Sequence, residues 1–430
     1  MKKIGLFLSI ILLSLNSICQ KSTLTKEEKL MGLSLLWKEA SYNFAFFDRV
    51  RYLNWDSCYI AYMPMVQETS NDWEYYRVLE KFYVNLHDGH TRIFPPAALR
   101  NEYYGTTTKQ FTTRFIENKV LITDVLDREL VAAGMKKGMV IRSVNNMDIN
   151  EYVRIRVSPF MYASTPQDLI LQTYGHFLLS GSTREPVLIG TEYNGTKKEF
   201  RIKREPWLME IEIFEGNPLS YKVLPGNIGY LRIHNFTDTK IFKSRFDSIY
   251  SEILKTNGLV IDVRDNFGGS SDITLYVLKH LTDKQFQTSN WKSPKNIGAY
   301  KAWKKKDNWY ESQGYFVEPF TDRQIYKKPV DVLCDESSFS AAEDFCVGFK
   351  TIRIGKLIGQ KTAGSTGMPL IFNLPGGGQA LVCSKNDFFP DGKEFCGIGV
   401  LPDIEVATSY DDIKKNTDTV LQAAIIDIRR

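Results

Sequence analysis

The stretch from Asp331 to Gly367 reads DVLCDESSFSAAEDFCVGFKTIRIGKLIGQKTAGSTG, and the reading of the whole chain turns on it. The mostly apolar run Val330 to Leu333 predicts a buried strand, which stops at a polar turn from Asp335 to Ser338. Ala341, Ala342, Phe345 and Val347 then supply the apolar positions of a helix. Ser340 therefore stands where a strand hands over to a helix. A hydroxyl at such a place lies beside free backbone N–H groups and the positive end of the helix dipole, both of which can stabilise an oxyanion forming next to it. Serine is also a preferred N-cap residue, so the stretch alone leaves open a purely capping role for Ser338 or Ser340.

Outward from this stretch, residues 206–430 alternate strand and helix, which predicts a mostly parallel sheet covered on its faces. Strands are expected at Ile228 to Ile233 and Gly258 to Val263, and helices at Lys240 to Leu254 and Asp272 to Leu281. The strand GLVIDVR runs into DNFGGSS, a glycine turn ahead of a helix. A phosphate-binding loop is the obvious rival, but the turn lacks both GxGxxG spacing and a Gly-Lys-Ser or Gly-Lys-Thr ending. Lys284 to Lys328, rich in Trp, Tyr and Lys, reads as an irregular insertion beside the site, with Lys304 to Lys306 as a solvated face. The closing GGGQALVCSKNDFFPDGKEFCGIGVLPDIEV reads as a hairpin turning at Pro390 to Gly392, followed by a loop.

Residues 20–100 have a helical pattern. Thr25 and Glu28 have capping-box spacing, and Leu33, Leu36, Trp37, Ala40, Phe44 and Phe47 fall on one face. A second helical stretch from Trp73 to Leu86 ends in LHDGHTRIFPP, where Gly89, Pro95 and Pro96 break the helix and leave His87, Asp88 and His90 on a loop. A metal site would need another ligand close by in sequence, and none stands there; a loop histidine without a role is the plain alternative to a catalytic one.

Residues 101–205 change to short strands, at Phe111 to Ile116, Val120 to Val125, Val140 to Val144, Val187 to Tyr193 and Lys198 to Lys203, with a helix capped by Thr165 and opened by Pro166. The run ITDVLDRELVAAGMKKGMVIRSVNNMDI resembles a PDZ domain, which would take a peptide as an added strand. A small β-rich spacer is the alternative.

At 430 residues the chain is too long for one core, and 43% hydrophobic with 24% charged residues is an ordinary globular composition. The net charge of +5 gives no basis for nucleic-acid binding. Lys2 and Lys3, the apolar run Ile4 to Leu15, and small residues at Ser17 and Cys19 have the form of a secretory signal over residues 1–19, too short to span a bilayer, which predicts an exported, periplasmic or secreted protein without a transmembrane anchor. An acylated Cys19 is the alternative, disfavoured by the bulky Ile18 before it. Beyond the signal the cysteines are odd in number and lack metal-ligand spacing; Cys383 and Cys396 could pair across a hairpin, and buried free thiols account for the others.

Taken in order, these landmarks resemble the carboxyl-terminal processing and tricorn-core serine peptidases, the tail-specific protease family. The residues that carry the resemblance are Arg264 to Gly269 (RDNFGG), Ser338 to Glu343 (SFSAAE) and Gly399 to Asp403 (GVLPD), after a helical N-terminal region and a PDZ-like insert. It implies a multidomain α/β protein: a signal at 1–19, a helical domain at 20–100, a PDZ-like domain at 101–205 and a catalytic core of the ClpP/crotonase-like type at 206–430. Ser340 would be the nucleophile, with the oxyanion hole formed by N–H groups of Ala341 and of Gly268 or Gly269. Members with a Ser/Lys dyad carry lysine in a K-T-x-G-K-G segment, but here KTAGSTG puts Ser365 at that place, and Lys361 matches the first lysine only. The tricorn-like branch uses a histidine from the N-terminal region, which His90 in DGHTR matches. In that branch a serine precedes the histidine and a glutamate stands near the terminal loop; here Gly89 and Cys396 fall at those places, leaving Glu394 or Asp88 to orient the ring. The expectation is an exported serine endopeptidase acting on polypeptides, needing neither metal nor organic cofactor. A non-catalytic peptide-binding protein on the same scaffold and a peptidase using Lys361 as base are the alternatives.

Overall fold

The computed structural model describes residues 22–206 and 217–430. The expected signal at 1–19, with Cys19, and residues 207–216 lie outside these residues.

Strands rich in aliphatic residues build a six-stranded sheet in the C-terminal half, in the spatial order Ile404–Glu405, Leu357–Gly359, Val330–Cys334, Gly258–Asp262, Ile228–Ile233 and Leu219–Leu224. The first five are parallel and the last is antiparallel. Alternation along each strand decides which residues face which layer. Leu259, Ile261 and Val263 pack with Phe242, Phe246, Val277 and Phe345 from the helices Thr239–Ile253, Ser271–Lys279 and Ala341–Ile352. Val260, Tyr230 and Ile358 point the other way, onto Val420 and Ala424 of the C-terminal helix Thr419–Ile428.

The N-terminal helices Lys26–Asn43, Trp55–Gln67 and Asp72–Val84 have no separate core. Leu33, Leu36, Tyr76, Leu79 and Phe82 join the same buried cluster as Ile261 and Phe345 of the sheet layer. The capping box expected at Thr25 is formed with Glu28. After the third helix the chain makes a short strand, Arg92–Phe94, which pairs antiparallel with Gln379 to Leu381 far down the sequence. That pairing carries the histidine loop across to the sheet layer.

Residues 106–205 form a β-rich unit with its own core, including Phe111, Ile122, Ile141, Val144, Val187, Ile189 and Phe200. Its strands lie in the order Phe111–Ile116, Lys119–Val125, Val140–Val144, Val187–Tyr193, Thr196–Ile202, so Phe111–Ile116 is an edge. Pro166–Leu171 is capped by the Thr165 side chain, as its sequence suggested, and continues as a wider turn through His176.

Two expectations differ in detail. The region Lys284 to Lys328 is not irregular throughout: Asn290–Pro294 pairs with Trp309–Ser312 on one side and with Asn386–Phe388 on the other. The closing segment turns near Pro390 to Gly392, with Phe389 N donating to Lys393 O at 2.9 Å, but its longer hairpin is an earlier one, Pro369–Asn373 against Gln379–Cys383. Gly376 and Gly377, both at φ +86°, supply the left-handed turn that this hairpin needs.

Candidate active site

Ser340 is held in a backbone conformation that few side-chain-bearing residues adopt, φ +57° and ψ −122°, immediately before the helix Ala341–Ile352. Such a conformation costs on the order of 1–3 kcal/mol and persists only where surrounding contacts enforce it. Here Ser340 N donates to Ser365 O at 3.0 Å and Phe339 N to Asn266 O at 3.0 Å. The capping alternative does not hold: Ser340 makes no side-chain cap hydrogen bond, and the Ser338 hydroxyl donates to Val263 O at 2.8 Å.

His90 arrives from the other end of the chain. His87 is in the left-handed region at φ +49°, turning the chain out of the third helix. Arg92 Nε donates to Gly89 O at 2.6 Å, and Cys383 N donates to Thr91 Oγ1 at 3.0 Å, so the loop is fastened on both sides of His90. Its Nε2 lies 3.1 Å from Ser340 Oγ and its Nδ1 lies 2.9 Å from Ser365 Oγ. The ring stacks on Phe339, with centroids 4.5 Å apart. Burial, then the charges of Arg92 and Lys385, push the imidazole down to about 3, so it is neutral near pH 7 and able to accept a proton.

The ring's outer partner is Ser365, and this corrects the expectation for Glu394. Glu394 stands exposed on the Phe388–Glu394 turn and makes no hydrogen bond to His90. The inward positions of that segment go to Phe395 and Cys396, both buried. Asp88 is likewise occupied elsewhere, accepting from Ser164 Oγ at 3.0 Å. Lys361 is exposed, and the Ser340 hydroxyl faces His90 instead. Cys383 and Cys396 are free thiols: Cys396 Sγ lies 2.8 Å from Thr366 Oγ1, and Cys383 Sγ reaches toward Thr366 O and Lys385 O.

Glu343, one turn into the helix Ala341–Ile352, is given no role by the sequence alone. Its buried carboxyl accepts from Thr362 Oγ1 at 2.5 Å, Gly364 N at 2.7 Å and Ser365 N at 2.7 Å. It therefore holds the loop that presents Ser365 to His90. Burial pushes it up to about 8, against the pull of those three donors. Its spacing from Ser340 is that of a capping box, but Ser340 makes no side-chain cap hydrogen bond.

The glycine turn closes the site. Gly268 and Gly269 have φ of +94° and +135°. A Cβ at Gly268 would lie 2.7 Å from Ser340 Cβ and 2.8 Å from Ala341 N, so only glycine lets the turn approach Ser340 this closely. Gly268 N–H is already used, donating to Asn266 Oδ1 at 2.9 Å. Of the three expected oxyanion donors, Ala341 N–H and Gly269 N–H are the two with no acceptor among the described residues.

Residues 227–406 match the model for peptidase family S41. Those residues belong to peptidase family S41. The S41 domain holds Ser340, Ser365, Glu343 and the glycine turn, while His90 comes from outside it. A carboxy-terminal-processing protease of Bartonella bacilliformis is 25% identical over 248 residues, 56% of this chain and 52% of the relative. A probable CtpA-like serine protease of Staphylococcus epidermidis is 24% identical over 251 residues, 56% of this chain and 47% of the relative. The chain spans about half the length of the curated relatives it matches. Among solved structures, mature CPAF complexed with lactacystin aligns with a TM-score of 0.72 at 15% identity, over 94% of this chain and 99% of that one. The photosystem II D1 C-terminal processing protease aligns at 0.52 and 17%, over 88% and 93%. At these identities the structural likenesses speak for the fold alone.

Proposed function

We propose that the protein is a serine peptidase of the carboxyl-terminal processing kind, cleaving polypeptides through an acyl-enzyme on Ser340. The observation that carries the reading is the 3.1 Å approach of a neutral, buried His90 Nε2 to a Ser340 hydroxyl free of any capping bond. In the reaction, His90 takes the Ser340 proton as the oxygen attacks the scissile carbonyl, and returns it to the leaving amine. Ala341 N–H and Gly269 N–H receive the oxyanion; a donor of this kind is worth roughly 3–4 kcal/mol in the transition state. Ser365 keeps the imidazole in the tautomer that leaves Nε2 open.

Substrate capture falls to the β-rich unit, read as a PDZ-like module. Its edge strand Phe111–Ile116 lines a cavity of about 1140 Å³ that extends to Arg232, Glu336 and Phe267 of the S41 domain. Buried polar atoms without a partner among the described residues, His176 Nε2, Arg232 Nε and Glu336 Oε2, lie on residues of its wall. An edge strand beside unsatisfied donors and acceptors suits an extended peptide main chain. The signal-like residues 1–19 support export, and no described helix is long and apolar enough to cross a membrane.

A fluorophosphonate tests the reading. The mature chain should be labelled at one serine, and Ser340→Ala should abolish the label. A folded wild-type chain that takes no label would favour the peptide-binding alternative.

A further inference from the structure

Beside the His90 loop lies a carboxyl group for which the serine, the histidine and Ser365 give no account. Asp168 is in the first turn of Pro166–Leu171, in the β-rich unit, and has no exposed surface. Its Oδ1 accepts from Gln172 Nε2 at 3.0 Å and its Oδ2 from Ser164 N at 3.1 Å, which fixes the carboxyl in one orientation. A Cβ at Gly89 would lie 2.9 Å from Ser365 Oγ and 3.2 Å from Asp168 Oδ2, so the two oxygens look into one small space beside the residue preceding His90.

The segment bearing Asp168 joins both halves of the site. Ser164 Oγ donates to Asp88 Oδ1 and accepts from Gly89 N at 2.9 Å, which fastens it to the histidine loop. Thr165 Oγ1 donates to Ala363 O at 2.7 Å and Gln167 Nε2 to Thr362 O at 2.9 Å, which fastens it to the loop carrying Ser365.

Proton placement makes the arrangement pointed. For Nε2 of His90 to receive the Ser340 proton, the ring's own proton must sit on Nδ1 and be donated to Ser365 Oγ. Ser365 then has a hydroxyl proton to direct, and the only hydrogen-bond partner of that hydroxyl among the described residues is His90. The carboxylate oxygen sharing its space is Asp168 Oδ2. An imidazolium formed during attack would otherwise face the like charges of Arg92 and Lys385.

We propose that Asp168 is the carboxylate that completes this site, a positioning residue that orients the Ser365 hydroxyl and stabilises His90 as it becomes charged. The proposal rests on the reading of Ser340 and His90 as a peptidase pair. It makes the β-rich unit part of the catalytic apparatus as well as a site for substrate.

A pH signature separates this from a merely structural role. Burial pushes Asp168 up to about 6; Gln172, Ser164 and Arg92 oppose the rise and Asp88 adds to it. Glu343, the other acid facing it, sits at about 8, and His90 at about 3. On this proposal, protonation of Asp168 below about pH 6 takes away the negative charge toward which the Ser365 hydroxyl is directed, which predicts an acid limb near that pH that His90 would not give.

The experiment measures the rate of Ser340 labelling by a fluorophosphonate between pH 4 and 9 on the mature full-length chain, in wild type, Asp168→Asn and Ser365→Ala. Wild type should lose about tenfold in rate between pH 7.5 and 5. Asp168→Asn should be roughly 10- to 100-fold slower at pH 7.5 and nearly flat across that range. Ser365→Ala should flatten in the same way although Asp168 keeps its bonds to Ser164 and Gln172, and it decides the matter if Asp168→Asn does not fold. An acid limb near pH 6 that survives in either folded variant, or an undiminished rate, overturns the proposal while leaving the peptidase reading intact. A folded wild-type chain that takes no label overturns both.

Discussion

Gly268→Ala is the substitution whose consequences the structure fixes most tightly. The new methyl carbon would lie 2.7 Å from Ser340 Cβ and 2.8 Å from both Ala341 N and Phe339 O. Two of those three neighbours are backbone atoms at a helix start, so no side-chain rotation relieves the contact. The φ of +94° adds strain for any residue with a Cβ, of order 1–3 kcal/mol, and overpacking a tight contact adds a similar amount. A total near 2–5 kcal/mol is large but within the 5–15 kcal/mol by which domains of this kind are stable, so the variant should fold with a lowered urea midpoint. The loss in chemistry should be greater. Relief of the clash must move the serine or the glycine turn by several tenths of an ångström, and the methyl group crowds the Ala341 N–H that would receive the oxyanion, so the labelling rate of Ser340 should fall by about 10²–10³. Urea denaturation and timed fluorophosphonate labelling on the same preparation read both effects. A folded Gly268→Ala protein that labels within about threefold of wild type would refute the placement of the glycine turn against Ser340.

Three further outcomes follow from the same geometry. His90→Ala should cut labelling by about 10³-fold or more while Lys361→Ala stays within about twofold of wild type, because only the histidine reaches Ser340 Oγ; the reverse pattern would establish the lysine as base. Ser340→Gly should abolish labelling yet raise stability by about 1 kcal/mol in urea melts, since glycine adopts φ +57°, ψ −122° without strain; an unchanged or lowered midpoint would show that the serine is not strained. Glu343 is held at about 8, above its ordinary value near 4.3, so the folded chain keeps a proton there that the unfolded chain releases as pH rises. Its contribution is full below about pH 4 and is lost as pH climbs through 8, so Glu343→Gln should reduce the decline in stability between pH 5 and 8 by about 2–4 kcal/mol relative to wild type, and equal slopes in paired urea melts would contradict the assignment.

Local pattern and tertiary placement contributed differently to this site. Ser340 was legible because a strand, a polar turn and an apolar-periodic helix follow one another within 22 residues of contiguous sequence (Val330 to Thr351), and such handovers are governed by neighbours along the chain. The glycine turn at Gly268 and Gly269 was legible for the same reason, since left-handed backbone selects glycine wherever it occurs. The histidine loop could be located as a helix stop, but nothing local says that it meets a residue 250 positions away. That meeting is made by a three-residue strand, Arg92–Phe94, finding its partner at Gln379 to Leu381.

What the sequence could not reveal was the ring's outer partner. Glu394 has the chemistry to orient an imidazole and lies near the right place in sequence, yet the turn leaves residues 391–394 exposed and brings Phe395 and Cys396 inward. Ser365 took that place because Glu343 gathers the N–H groups of Gly364 and Ser365 from below, a contact between a helix and a loop 22 residues apart. Backbone pattern, set by sterics and local hydrogen bonding, was thus written in the sequence itself, while the identity of the groups that touch His90 was decided only when three distant segments packed together, because hydrogen-bond reach is a matter of ångströms in space and not of distance along the chain.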